Sequence, residues 1–159
     1  MTAVTTERMI IFPISGEELK RKIEEERSAE MKQAYSEMLA GCVDHPEQHL
    51  WYTVWMMQLK EGNKPFVGDL CFKGLNENGT VEIGYGIYPE YEGRGLTTEA
   101  VTAMTRWASE QPGVRRIEAE TDPHNIASQR VLRKAGFLPN GVTGEEGPRF
   151  EWKESRVCV

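Results

Sequence analysis

Val81-Glu-Ile-Gly-Tyr-Gly-Ile-Tyr-Pro-Glu-Tyr-Glu-Gly-Arg-Gly-Leu-Thr-Thr98 starts as a strand-like run, breaks at two closely spaced glycines and runs on into an amphipathic helical pattern. A strand that reaches a glycine turn directly before a helix is suited to holding an anion. Gly93 and Gly95 allow positive φ and a close approach of backbone to ligand. The helix behind them begins with N–H groups that lack intrahelical partners and with the positive end of its dipole. A diphosphate fits such a turn. Two familiar phosphate-binding patterns do not apply: the third glycine of a dinucleotide fingerprint is missing after Gly93 and Gly95, and no Gly-Lys-Ser/Thr ending is present.

Outward from this stretch the chain alternates between periods of two and of 3.6 residues. Glu7 to Ile14 reads as a first strand. Gly16 to Ala40 repeats Leu19, Ile23, Met31, Tyr35 and Met38 at helical spacing, as one long helix or two abutting ones, ended by Gly41 and Asp44-His45-Pro46. Trp51 to Leu59 and Phe66 to Phe72 form an antiparallel pair, and the Asn76–Gly79 turn leads into the strand Val81 to Tyr88. Leu96 to Ser109 presents Leu96, Ala100, Ala103, Met104 and Trp107 on one helical face. A strand from Arg116 to Thr121 follows, then a helix opened by Pro123-His-Asn125 and closed at Lys134-Ala-Gly136. A strand from Phe137, a bend from Asn140 to Pro148 and a last strand from Arg149 to Lys153 complete the order. This predicts an α+β fold on a mixed sheet, with residues 1–159 as a single domain.

Composition bounds the function. The 25 acidic against 19 basic residues give a net charge of −6, which argues against nucleic acid as partner and mildly favours a cationic one. No apolar run reaches the ~18 residues of a membrane span. Cys42, Cys71 and Cys158 follow no metal-ligand spacing and leave an odd thiol, so a reduced, cytoplasmic protein without a structural metal is expected. The three histidines, His45, His49 and His124, are read as polar surface residues.

Two blocks carry a specific resemblance. Tyr91-Glu-Gly-Arg-Gly-Leu-Thr-Thr-Glu-Ala100, preceded by Glu82-Ile-Gly-Tyr85, resembles the coenzyme A loop of the GNAT superfamily of N-acyltransferases. Glu118-Ala-Glu-Thr-Asp-Pro-His-Asn-Ile-Ala-Ser128, ending in Val131-Leu-Arg-Lys-Ala-Gly-Phe137, is similar to the next motif of the ribosomal-protein-alanine N-acetyltransferase-like branch. Glu92 and Thr97 depart from the usual loop, in which glutamine or arginine comes first and glycine or alanine last. The resemblance implies a GNAT-like α+β fold with a mostly antiparallel sheet of six to seven strands and about four helices. It also implies an acyl-CoA cleft between splayed parallel strands.

On that resemblance, acetyl-CoA is the acyl donor and no metal takes part. Ile87 and Tyr88 would supply backbone groups to the pantetheine arm. Gly93, Arg94, Gly95, Leu96, Thr97 and Thr98 would hold the diphosphate. Asn125 would face the pantetheine, and Ser128 would lie near the sulfur and protonate or hydrogen-bond the departing thiolate. Asn125 reads equally as the N-cap of its helix. Arg130, Arg133 and Lys134 read as a solvated helix face with favourable C-terminal charge, or one of them as a partner of the 3′-phosphate.

An amine must lose a proton to attack, so a carboxylate base is expected, and the resemblance points to Glu82 or Glu120, each of which also reads as a solvated or salt-bridged strand carboxylate; Glu118, on the same strand face as Glu120, is a third candidate. The tyrosine acid of several family members has no counterpart, since that position is Leu132. The implied activity is acetyl transfer to a primary amine, either a protein N-terminus or a small molecule, by a monomer or homodimer. A non-catalytic acyl-CoA sensor of the same fold is the alternative.

Overall fold

The computed structural model describes residues 2–153; Met1 and residues 154–159, and with them Cys158, lie outside the described part. Its strands are β1 (Val4–Thr5), β2 (Met9–Pro13), β3 (Val54–Leu59), β4 (Phe66–Leu75), β5 (Thr80–Ile87), β6 (Arg116–Glu120), β7 (Phe137–Thr143) and β8 (Pro148–Trp152). The helices are α1 (Gly16–Glu25), α2 (Ala29–Asp44), the single turn α3 (His49–Tyr52), α4 (Leu96–Ser109) and α5 (Ile126–Lys134). One sheet runs in the order β1-β2-β3-β4-β5-β6-β8-β7. Every neighbouring pair is antiparallel except β5 and β6.

Alternation along β3 sets the layers. Val54 and Met56 face Leu19, Tyr35 and Cys42 of α1 and α2, whereas Trp55 and Met57 face the larger core under α4 and α5. The sheet is therefore covered on both faces, and its central strands read as nearly continuous apolar runs. Trp51, Trp55, Phe72 and Trp107 form a contiguous aromatic cluster in the larger core, with ring centroids 4.8 to 6.5 Å apart.

Two features raise the element count above the sequence expectation. The two-residue β1 is too short to show a period, yet it pairs with β2 and completes an eight-stranded sheet. Trp51 and Tyr52, read as strand from their aromatic character, instead form α3, and the strand starts only at Val54.

The long N-terminal helical pattern is two helices. Glu26 turns extended, and Ser28 caps α2 by accepting from the Met31 amide. α2 then continues through Gly41 to Asp44. Gly41 is a packing glycine there, because a side chain would meet the Tyr52 ring. β7 runs on to Thr143, so the expected bend shrinks to residues 144–147. On α4 the buried face holds Val101, Thr105 and Ala108 with Leu96, Ala100 and Met104, while Ala103 and Trp107 are half-buried.

Among the described residues, no helix is long and apolar enough to cross a membrane. Cys42 and Cys71 are buried and not bonded to each other.

Candidate functional site

β5 stays paired with β4 up to Ile87, but its parallel ladder with β6 ends at the Glu82–Glu118 pair. Beyond that point the two strands part. The Tyr88 amide donates to the Val67 carbonyl (2.8 Å), which fixes the alternation along β5. Residues 84, 86 and 88 turn their backbone groups toward β4, and 83, 85 and 87 turn theirs toward the opening. Ile87 thus has free backbone groups at the split, as an added extended ligand requires. Tyr88 does not: its amide is engaged, and the residue lies outside the cavity lining.

The opening widens into a cavity of about 730 Å³ between β5, the 91–95 turn, α4 and α5. Ile87, Gly93, Arg94, Gly95, Leu96, Thr97, Thr98, Asn125 and Ser128 all line it. Gly93 and Gly95 have φ of +78° and +77°, so the turn needs the left-handed conformation twice within three residues. Gly95 is the N-cap of α4 and offers no side chain to its first amides. Side chains of Ser15, Ser28 and Asn125 cap α1, α2 and α5. α4 is thus open at its positive end, toward the cavity.

The turn is braced from the N-terminal hairpin. Arg8 donates from Nη1 to the Arg94 carbonyl (2.8 Å) and from Nε to Glu99 Oε1 (2.8 Å). Glu99 also accepts from the Thr6 hydroxyl (2.6 Å) and the Arg8 amide (2.9 Å). Partial burial pushes its pKa up, but these donors prevail and hold it below the ordinary carboxylate value. Arg94 lies over the Tyr91 ring, 5.4 Å from its centroid. Glu92, the departure noted in the loop, lines the cavity but is solvent-exposed.

Asn125 caps α5: its Oδ1 accepts from the Ser128 amide at 3.0 Å. The Ser128 hydroxyl meets the Tyr85 hydroxyl at 2.9 Å from the opposite wall. Replacing Asn125 by alanine removes the cap, and urea unfolding of the variant is expected to show a loss of about 1 kcal/mol. A change below about 0.3 kcal/mol would mean that the helix end does not depend on it.

The three carboxylates converge, but on one another's cation rather than on the cavity. Arg149 donates from Nε to Glu118 Oε1 (3.0 Å), from Nη1 to Glu120 Oε1 (2.7 Å) and from Nη2 to Glu82 Oε1 (2.9 Å), and its Nη2 also forms an ion pair with Glu118 Oε1 at 2.9 Å. The second oxygens are engaged as well. Glu82 Oε2 pairs with Lys73 (2.7 Å), Glu120 Oε2 accepts the Glu146 amide (2.7 Å), and Glu118 Oε2 lies 3.9 Å from Arg116.

Burial pushes the Glu120 carboxyl up, but the Glu146 amide and Arg149 draw it below its ordinary value. The Arg149 guanidinium is stabilised in turn: burial opposes its charge, and bonds to Glu120, Glu82 and Glu118 outweigh that. None of the three carboxylates lines the cavity. They mark the apex of the split, where the parallel ladder ends.

Sequence reasoning missed Tyr85, Arg149 and Arg8. Tyr85 lies within the quoted loop block, but its side-chain direction depends on which residues of β5 face the cavity. Arg149 falls in a strand with no motif, and only the β6–β8 register sets it opposite Glu120. Of the three cations considered for the 3′-phosphate, Arg130 and Lys134 line the cavity, and Arg133 lies over the Phe150 ring at 5.7 Å. Leu132, the residue seven positions after Asn125, is wholly buried in the core. Among the described residues, no group of three or more His, Cys, Asp or Glu is arranged to hold a metal ion.

Comparisons with known proteins agree with this architecture. The model of the acetyltransferase (GNAT) domain matches residues 9–138. The uncharacterized N-acetyltransferase YjdG of Bacillus subtilis is 34% identical over 92 residues, 57% of this chain and 54% of that protein. The [ribosomal protein uS5]-alanine N-acetyltransferase of Escherichia coli is 37% identical over 59 residues, 37% of this chain and 30% of the relative. The matches thus span about half the length of the first of these relatives and less of the second.

The crystal structure of an acetyltransferase from Agrobacterium tumefaciens superposes with a TM-score of 0.73 at 17% identity, covering 97% of this chain and 95% of that one, which is a likeness of fold. With a family model matched over most of its length and the same fold beneath it, the chain belongs to the GNAT acetyltransferase family.

Proposed function

We propose that the protein transfers an acetyl group from acetyl-CoA to a primary amine by direct attack of the amine on the thioester. The observation that carries this reading is the single cavity joining the uncapped start of α4, the Gly93–Gly95 turn and the unpaired edge of β5. The diphosphate would accept from the amides of Leu96, Thr97 and Thr98, with Arg94 as a further cation. The pantetheine would add to β5 beside Ile87. The Ile87 amide would face the oxyanion of the tetrahedral intermediate. Arg130 or Lys134 would meet the 3′-phosphate.

Deprotonation of the acceptor narrows its class. Every carboxylate oxygen of Glu82 and Glu120 already has a donor, so neither is a free base. The two cations in close contact with the three carboxylates, Arg149 and Lys73, leave one negative charge that only the half-exposed Arg116, 3.9 Å from Glu118, offsets. That field would draw in an ammonium, which would lose its first proton to bulk water before attack.

Weak base assistance suits an amine that is already partly neutral. An α-amine of pKa near 8 is roughly a tenth neutral at pH 7, whereas a lysine side chain near 10.4 is less than about a thousandth. We therefore infer an α-amine acceptor, of a protein N-terminus or of an amino-acid-like small molecule. The name of the uS5-alanine relative is consistent with this class.

A matrix of acyl-CoA donors against amines, read by mass spectrometry, tests the proposal. Acetyl-CoA is expected to raise the melting temperature. At pH 7, α-amines are expected to be acetylated at least about tenfold faster than lysine side chains. Donor binding without thiol release for any amine would favour the sensor. No shift at all with acetyl-CoA would remove the donor assignment.

A further inference from the structure

Ser128 and Tyr85 approach the cavity from opposite walls. Ser128 sits in the first turn of α5 and Tyr85 on the unpaired edge of β5, yet their hydroxyl oxygens are 2.9 Å apart. The Tyr85 hydroxyl is also 3.3 Å from the Ser128 carbonyl. Among the described residues, these contacts are the only side-chain hydrogen bonds that join β5 to α5. The start of α5 does not need them for its own order, because the Asn125 side chain already holds the Ser128 amide.

From this geometry we propose that Tyr85 and Ser128 form a two-hydroxyl relay, in which Tyr85, on the strand, supplies the proton for the departing thiolate through Ser128. The inference rests on the acetyl-transfer reading above.

The step balances as follows. The amine nitrogen forms the C–N bond and the carbonyl electrons move to oxygen. As the oxyanion collapses, the C–S bond breaks and its electron pair leaves on sulfur. Ser128 Oγ–H protonates the sulfur while Tyr85 Oη–H protonates Ser128 Oγ. The proton released by the acceptor nitrogen passes through water and restores Tyr85. Burial raises the Tyr85 pKa, and the bond to Ser128 lowers it only in part, so the phenol is protonated at neutral pH and able to donate. Ser128 is the catalytic residue and Tyr85 the positioning residue that acts through it.

The test uses Tyr85→Phe, Ser128→Ala and the double variant, each assayed with acetyl-CoA and with the acetyl selenoester of the selenium analogue of coenzyme A. Phenylalanine keeps the ring in place, and calorimetry of donor binding checks each variant separately from turnover. Each single variant is expected to retain acetyl-CoA affinity within about threefold and to lose about tenfold or more in kcat. The double variant is expected to be no more than about threefold slower than the poorer single one, because both changes break one relay.

A selenolate departs without a proton, so with the selenoester the loss is expected to shrink to within about threefold of wild type. Multiplicative losses, an equal loss with the selenoester, or a change confined to KM would overturn the relay and leave the acetyl-transfer reading intact. Absence of acetyl-CoA binding by the wild-type protein would overturn both, and calorimetry distinguishes that outcome.

Discussion

Valine at position 95 is expected to abolish measurable acetyl-CoA binding while the protein still unfolds cooperatively. Gly95 has φ +77° and ψ 7°, a left-handed conformation that a β-branched side chain occupies only at a cost of about 1–3 kcal/mol. The nearest atom to an added Cβ is Arg8 Nη2 at 3.5 Å, an ordinary contact, so the penalty is backbone strain and not collision. Relief of that strain requires the 93–96 backbone to rotate, which turns the first amides of α4 away from the cavity. Losing two hydrogen bonds to a charged group, at about 1.5 kcal/mol each or more, weakens binding by on the order of 100-fold or more.

Gly62→Val is the control. Its φ is +66° and nothing lies within 4 Å of its would-be Cβ, so it carries similar strain outside the cavity lining. The two variants are expected to lose comparable stability in urea, and only Gly95→Val is expected to lose the donor in calorimetry. Wild-type affinity in Gly95→Val would move the diphosphate elsewhere.

What could be read from the sequence follows from the range over which each feature is determined. The 91–100 turn was legible because its requirement is local. Two left-handed residues and an uncapped helix start are written in Gly93, Gly95 and the absence of Ser, Thr, Asp or Asn before Leu96. The bounds of α4 and the cap of α5 by Asn125 were legible for the same reason.

The split between β5 and β6 was implied only by family resemblance, because a ladder that stops at Glu82–Glu118 depends on the register of two strands more than thirty residues apart. The carboxylates were legible as a group, since Glu118 and Glu120 share a strand face. Their cation was not, because Arg149 belongs to a strand without a motif and reaches Glu120 only through the β6–β8 register. For Tyr88, the step of one residue that sends the backbone of Ile87 to the opening sends its own to β4.

Removing that cation is expected to reverse the pH dependence of stability. Glu82, Glu118 and Glu120 have side chains only 8 to 19% exposed, and Arg149 bonds all three. Arg149→Met keeps the aliphatic stem and leaves the carboxylates facing one another. At pH 7 the expected loss is about 3 kcal/mol, the low end for breaking a buried pair, because Lys73 and water still reach one side.

In the wild-type protein the folded pKa of Glu120 is depressed. Its contribution is therefore present above the unfolded value near 4.3 and is lost as pH falls through the folded value. In Arg149→Met, Glu120 loses the guanidinium that lowers its pKa, and burial, which opposes its charge, is expected to prevail and raise the folded pKa above the unfolded one. The native state then binds more protons than the unfolded one, and stability increases as pH falls from 7 toward 5. Urea midpoints at pH 7, 6 and 5 are expected to rise for the variant, where this cluster gives the wild type no such gain. Parallel curves would show that the three carboxylates do not depend on Arg149 for their ionisation, and the cluster would then have no claim to hold the apex of the split negative.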